Sequence, residues 1–403
     1  MKNNKKEKGN FPILRFKEFQ GEWEDRKLGE IAESMDYGMN ASAIEYDGKN
    51  KYIRITDIDE MSSKYISESP VSPKGKLLDK YLVEDNDILF ARTGASVGKS
   101  YIYNKEDGRL YFAGFLIRAR IKPELNASFI FAQTQTARYN KWVKLTSMRS
   151  GQPGINSQEY ADFPISIPNK NEQNKIARFL SLLDKRIQAQ IKIIEKYESL
   201  IKGICQNLIN FRGKDKLKEI YLRDILVERK ETNKDNYPIF SVSVSKGVVN
   251  QIEYLGRSFA AKDTSHYNVV HFGDIIYTKS PTGSFPYGII KQSFIQENVA
   301  VSPLYGVFIP ENICVANILH YYFNNPINTN NYLCSLIQKG AKNTISITNQ
   351  HFLDKKLSLP INDNEIEIMA KLLNTITQKI FIENKVLNDL ICQKQYLLKE
   401  MFI

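Results

Sequence analysis

The sequence predicts a mixed α/β (α+β) protein: two tandem globular domains separated by two long antiparallel packed helices, related by a pseudo-two-fold axis. Three observations predict it. The chain repeats itself: Ile155 to Pro168 reads INSQEYADFPISIP and Ile347 to Pro360 reads ITNQHFLDKKLSLP, sharing Gln158/Gln350, Asp162/Asp354 and Pro168/Pro360, with Tyr160/Phe352 a close exchange. Each repeat runs into a long stretch with apolar residues spaced three and four apart, the stripe of a helix packed on another helix. Each is preceded by short β-branched and aromatic runs bounded by turn residues.

The elements follow in order. Residues 1–20 are a basic N-terminal arm, opening Met1-Lys2-Asn3-Asn4-Lys5-Lys6. The first body spans 21–168. Its strands are read at Tyr52-Ile53-Arg54-Ile55, Asp87-Ile88-Leu89-Phe90, Lys99-Ser100-Tyr101-Ile102-Tyr103 and 115–120, followed by one helix over 128–142. The first long helix occupies 169–212, with Ile176, Leu180, Leu183, Ile187, Ile191 and Ile194 on its stripe and Asn171 as N-cap. The second body, 213–360, repeats the layout. Leu222-Arg223-Asp224-Ile225 matches Leu28-Gly29-Glu30-Ile31, and Asp274-Ile275-Ile276-Tyr277 matches Asp87-Ile88-Leu89-Phe90. Its strands include Tyr237-Pro238-Ile239-Phe240 and 304–309, and its helix over 316–338 breaks at Pro326. The second long helix, 361–403, is capped by Asp363 and carries Ile366, Met369, Leu373, Ile376, Ile380, Leu387 and Leu390. Asn384 falls beside that stripe, either as a polar register residue in the seam or facing solvent. About 40 residues at 1.5 Å rise make a rod of roughly 60 Å. So long an apolar face needs a partner, and the other long helix is the economical one.

Composition bounds the function. The chain has 403 residues, 42% apolar and 25% charged, enough to build real cores. Its net charge of +11 and pI near 9.1 favour a polyanionic partner. No apolar run reaches the roughly 18 residues of a membrane span, and no apolar signal core follows the basic start, so a cytoplasmic protein is expected. Cys205, Cys314, Cys334 and Cys392 are scattered and apart from the four histidines, which predicts neither a disulfide scaffold nor a zinc site.

Catalytic constellations are incomplete. Gly94-Ala95-Ser96-Val97-Gly98-Lys99-Ser100 nearly forms a phosphate-binding loop, but Thr93 stands where glycine is needed and a β-type run follows where a helix should. Asp224 with Glu228-Arg229-Lys230 is too closely spaced for a metal nuclease triad. Asn324-Asn325-Pro326-Ile327 lacks the second proline and the aromatic of an amino-methyltransferase motif. His266 and His271 have no nucleophile set beside them. A P-loop or metal-dependent DNA enzyme is therefore the lesser alternative, and no cofactor is assigned to this chain.

Two loop types recur instead. One follows the Asp-Ile-Leu/Ile-aromatic strand: 92–99 in the first body, with Arg92, Thr93, Ser96 and Lys99, and 279–284 in the second, with Lys279, Ser280, Thr282 and Ser284. Small residues let a backbone approach a partner, and cations, hydroxyls and N–H groups meet phosphates. The other loop precedes each long helix: 147–156, with Arg149, Gln152 and Asn156, and 338–346, with Lys342, Asn343 and Thr344. Arg, Gln and Asn are the side chains that pair with base edges through two hydrogen bonds.

This layout resembles the DNA-specificity subunit of a type I restriction–modification system. The residues that carry the resemblance are Gly151-Gln152-Pro153-Gly154-Ile155-Asn156, then Ile165-Ser166-Ile167-Pro168, then Glu172-Gln173-Asn174-Lys175-Ile176-Ala177-Arg178-Phe179-Leu180. In the second half the match is degraded: Lys339-Gly340-Ala341-Lys342-Asn343 replaces the turn and Asn364-Glu365 replaces Glu-Gln. The resemblance implies that each body is a target-recognition domain reading one half of a split, asymmetric double-stranded DNA sequence. It implies that the helices set the unread gap and dock two copies of a methyltransferase subunit, which carries S-adenosylmethionine and methylates adenine. It further implies that a motor-nuclease subunit joins for cleavage and that the chain itself is not an enzyme. A two-headed DNA-binding protein without a modification partner is the other reading.

Overall fold

The computed structural model describes residues 9–60, 62–209, 217–257, 260–339, 345–360 and 363–403. The chain divides into two compact units, 1–191 with 385–403 and 192–384, so both long helices are shared between them.

In unit 1 a central antiparallel sheet runs Ala32–Tyr37, Leu116–Ile121, Asp87–Ala91, Ser100–Ile102. A separate pair, Glu24–Lys27 with Pro164–Ile167, ties the start of the unit to the approach of the long helix. Unit 2 has the same order by chain rank: Leu226–Glu228, Gly306–Pro310, Ile275–Tyr277, Ile290–Gln292, with Leu217–Tyr221 paired to Lys356–Pro360. The Asp-Ile-Leu/Ile-aromatic runs lie on interior strands of both sheets and are buried along their length, which is why they are apolar after the leading Asp.

Helices cover one face of each sheet. The single helix expected over 128–142 is two, Ala127–Gln133 and Ala137–Thr146. The break has a local cause. The Thr134 hydroxyl donates to the Phe131 carbonyl and the Thr136 hydroxyl to that of Gln133, while Thr136 accepts the Tyr139 N–H and so caps the second helix. In unit 2 the break falls at Pro326 as expected, between Ile313–Asn324 and Pro326–Cys334, with Asn325 accepting the Ile327 N–H at 2.9 Å. The short helices Ser157–Ala161 and Asn349–Leu353 carry the matched Tyr160 and Phe352 into equivalent places. Tyr160 packs 4.9 Å from Phe90, and Phe352 packs 4.9 Å from Phe308 and 5.1 Å from Tyr277.

The long helices are Lys170–Ile209 and Asp363–Glu400. In unit 1, Ile176, Ala177 and Leu180 share a core with Leu397, Leu398, Met401 and Phe402, and Lys394 pairs with Asp184 at 2.6 Å. In unit 2, Ile201, Ile204 and Cys205 pack in one core with Ile366, Met369 and Leu373. The first cap is Asn169, not Asn171: its side chain accepts the Glu172 N–H at 3.0 Å. Asn384 is exposed and donates to the Ile380 carbonyl of its own helix at 2.9 Å, so it is no register residue in a seam. Of the N-terminal arm, residues 9–20 lie on unit 1. Leu14 N–H donates to the Glu400 carbonyl, and Arg15 forms a bidentate pair with fully buried Glu172 at 2.7 and 2.8 Å.

Candidate nucleic-acid interface

The two unit 1 loops, distant in sequence, are sewn into one surface by the backbone. Gly94 N–H donates to the Pro153 carbonyl and Ile155 N–H to that of Arg92, both at 2.9 Å, and Thr93 bridges Gly154. The glycines of the first loop have an internal reason to be glycine. Gly94 has φ +70° and a Cβ there would lie 2.9 Å from the Gln152 amide nitrogen. Gly98 has φ +89°, with its virtual Cβ 2.5 Å from Val143 Cγ1.

Side chains divide by what already engages them. The Arg92 guanidinium lies 4.8 Å from the centre of the Tyr37 ring, and among the described residues no hydrogen bond or carboxylate holds it. Thr93 and Ser96 line the same turn, half-buried, and Gln152 is exposed beside Gly94. Lys99 stands 3.7 Å from the Glu60 carboxylate. Arg149 donates to the carbonyls of Thr146 and Met148 at 2.8 and 3.0 Å, closing the end of its helix, and pairs with Glu159. The Asn156 oxygen accepts the Glu159 N–H at 2.9 Å as the cap of Ser157–Ala161. Arg92, Thr93, Ser96 and Gln152 thus come together, whereas Lys99, Arg149 and Asn156 have structural partners.

Sequence reasoning missed the cleft beside Arg92. It has a volume of about 630 Å³, and its lining includes Tyr37, Met39, Asn40, Arg54, Thr56 and Phe115. Phe115 is 60% exposed at its rim, and its carbonyl accepts the Arg92 N–H at 3.0 Å. Phe115 was read only as the start of a strand. In the structure it stands in the turn just before Leu116–Ile121, and the signal for its exposure was the adjoining Gly114.

In unit 2, Lys279 adopts the left-handed conformation at φ +57°. Burial pushes its ammonium pKa down, opposed by the nearby Glu228 carboxylate. Gly288 lies against it, with a virtual Cβ 2.8 Å from the Lys279 nitrogen. Thr282 and Phe285 exchange backbone hydrogen bonds in a tight turn that holds exposed Ser284, with exposed Ser280 two residues before it. Lys342, Asn343 and Thr344 lie outside the described residues.

The candidates for catalysis assemble nothing. The strand Ser100–Ile102, not a helix, follows the near phosphate loop. Arg229 clamps Asp274 at 2.7 and 3.0 Å, Glu228 accepts from Asn349 at 2.5 Å, and His271 bonds Glu231 at 2.8 Å. No group of His, Cys, Asp and Glu able to hold a metal occurs among the described residues.

Comparison with known proteins gives this surface its context. Residues 20–196 match the type I restriction modification DNA specificity domain. A curated relative from Methanocaldococcus jannaschii, described as a type I restriction enzyme MjaX specificity subunit, is 26% identical over 208 residues, covering 49% of this chain and 48% of that protein. The chain thus spans about half the length of that relative in the match. The type I restriction–modification S subunit from M. genitalium is similar in fold at 16% identity and TM-score 0.63, over 98% of this chain and 99% of that one. A chain from a structure of complex assembly and conformational transition in the type I R-M system is similar at 13% identity and TM-score 0.50, over 94% and 97%. The resemblance read from the sequence is borne out: residues 20–196 match the type I restriction modification DNA specificity domain, and the chain is similar to a type I specificity subunit over about half its length.

Proposed function

We propose that this chain selects the DNA sequence on which a type I restriction–modification assembly acts. It is a recognition subunit and leaves bond-making to its partners. Unit 1 reads one half of a split, asymmetric target through Arg92, Thr93, Ser96 and Gln152, with Lys99, Arg149 and Asn156 at the margin. Unit 2 reads the other half through Lys279, Ser280, Thr282 and Ser284, and through Lys342, Asn343 and Thr344. Residues 21–168 and 213–360 serve as the readers, and 169–212 and 361–403 as the helical spacer that sets the unread gap. The spacer docks two methyltransferase subunits that use S-adenosylmethionine to methylate adenine, and motor-nuclease subunits join them in the cytoplasm.

The observation that carries this reading is the stitched pair of loops in unit 1, inside the segment that matches the specificity domain. The surplus of +11 charges supplies the attraction to duplex DNA. Methylation-aware sequencing of cells carrying the gene with a methyltransferase partner tests it. A split adenine-methylated motif that disappears on deletion of this gene is expected. An unchanged methylome would overturn the proposal.

A further inference from the structure

Four cations border the recognition surface of unit 1, and three are already paired. Arg54 makes a bidentate contact with Asp57 at 2.8 Å for both bonds, Lys99 faces Glu60 at 3.7 Å, and Arg149 pairs with Glu159. Arg92 alone of the four has no carboxylate. It is nevertheless held: its strand is closed by the bonds to Phe115 and Ile155, and its guanidinium lies 4.8 Å from the Tyr37 ring centre. Tyr37 is in turn fixed, because its hydroxyl oxygen accepts the Ser157 N–H at 3.1 Å.

We propose that Arg92 is the residue of unit 1 that selects a guanine, and that Tyr37 is its positioning residue. This rests on the DNA-recognition reading above and goes further, naming the base and the side chain that reads it. A guanidinium kept against an aromatic face loses little freedom on binding and keeps its in-plane N–H donors for a partner. That planar fork matches the two acceptors, O6 and N7, on the major-groove edge of guanine. The surroundings favour a base over a phosphate. Arg92 lines a concave cleft of about 630 Å³ whose other cation, Arg54, is neutralised by Asp57, and whose walls include Met39, Tyr52 and the exposed Phe115. A phosphate is met well by a mobile lysine on a convex surface. A flat base edge with two adjacent acceptors is met better by a rigid guanidinium held among rings and methylenes.

Selection of binding sites from a random duplex pool tests the assignment, using the full chain in its native assembly, wild type and four Arg92 or Tyr37 variants. Wild type is expected to select a split motif with a guanine in one half. Arg92→Lys keeps the charge but loses the planar fork. It should lower preference at that one guanine about tenfold while leaving the salt dependence of binding unchanged. Tyr37→Leu should weaken the same position and no other, and Tyr37→Phe, which keeps the ring face, should restore it. Two results overturn the proposal. One is a motif unchanged in Arg92→Lys. The other is an Arg92→Ala variant that loses affinity evenly over all sequences with a salt slope smaller by about one, the mark of a phosphate contact. Selection of no motif by the wild-type chain would remove the recognition reading itself, and this assignment with it.

Discussion

Asp87 and Asp274 show why a matched motif need not be a contact. Asp87 is fully buried, accepts the Glu84 N–H at 2.8 Å and takes a bidentate pair from Arg120 at 2.8 and 2.9 Å, with Arg118 3.8 Å away. Asp274 accepts the His271 N–H at 2.8 Å and is clamped by Arg229. Both fasten a turn at the entrance to an interior strand, from arginines in different places, so the repeat preserved the need and not the pair. Asp87→Ala removes the buried carboxylate shared by Arg120 and Arg118, which keep Glu84 and Asp36 as partners at 2.9 and 2.7 Å. Chemical denaturation should show a loss of about 1–3 kcal/mol. In unit 2, burial, with Lys291 nearby, pushes the His320 pKa from 6.5 to about 3, while its Nδ1 accepts the Gln292 N–H at 3.1 Å. The unfolded chain then binds more protons than the folded one between about pH 6.5 and 3. Stability is complete above 6.5 and falls with acid by up to about 1.4 kcal/mol per pH unit. Melting curves across that range should show this slope, and His320→Asn should flatten it. None of this was legible beforehand, because a residue's burial and partners depend on strands far away in sequence.

At the scale of elements much more could be read. Spacings of three and four in 176–194 and 366–390 marked both long helices, because a stripe that must be covered leaves a period in the sequence. Pro326 marked a helix break for the same local reason: the ring removes a donor. The break at Thr134–Thr136 was missed because threonine ends a helix only when its hydroxyl turns back to the chain. The Glu172-Gln173 signature was visible as a motif but not as a clasp. Glu172 holds Arg15, and Gln173 donates to the Pro168 carbonyl at 2.9 Å and accepts the Asn126 N–H at 3.0 Å. If the first long helix is a spacer, inserting four residues within it should lengthen the unread gap. A rise of 1.5 Å per residue adds about 6 Å, close to two base pairs at about 3.4 Å each. Mapping the methylated motif of the insertion variant checks this, and an unaltered gap would refute the ruler.

For the molecule as a whole, the duplication was the most legible feature and the candidate recognition residues the least. Two halves with the same strand order, first, last and then the two between, follow from two weakly similar sequences. The cleft of Tyr37 and Phe115 does not, since exposed residues carry no packing period. If each unit is an independent reader, exchanging residues 21–168 for those of a relative should change one half of the methylated motif and leave the other intact. Altered bases in both halves would contradict that independence. The aromatic closure of unit 1 also bears on how such a chain is made. Phe402 packs 6.2 Å from Trp23 and 5.4 Å from Phe129, and Arg138 donates to the Ile403 carbonyl. Those last side chains leave the ribosome only after all of unit 2 has been translated. The earliest-synthesised half must therefore wait, its central aromatic pair uncovered, until the later half has emerged, so nascent unit 1 cannot finish folding in the order in which it is born.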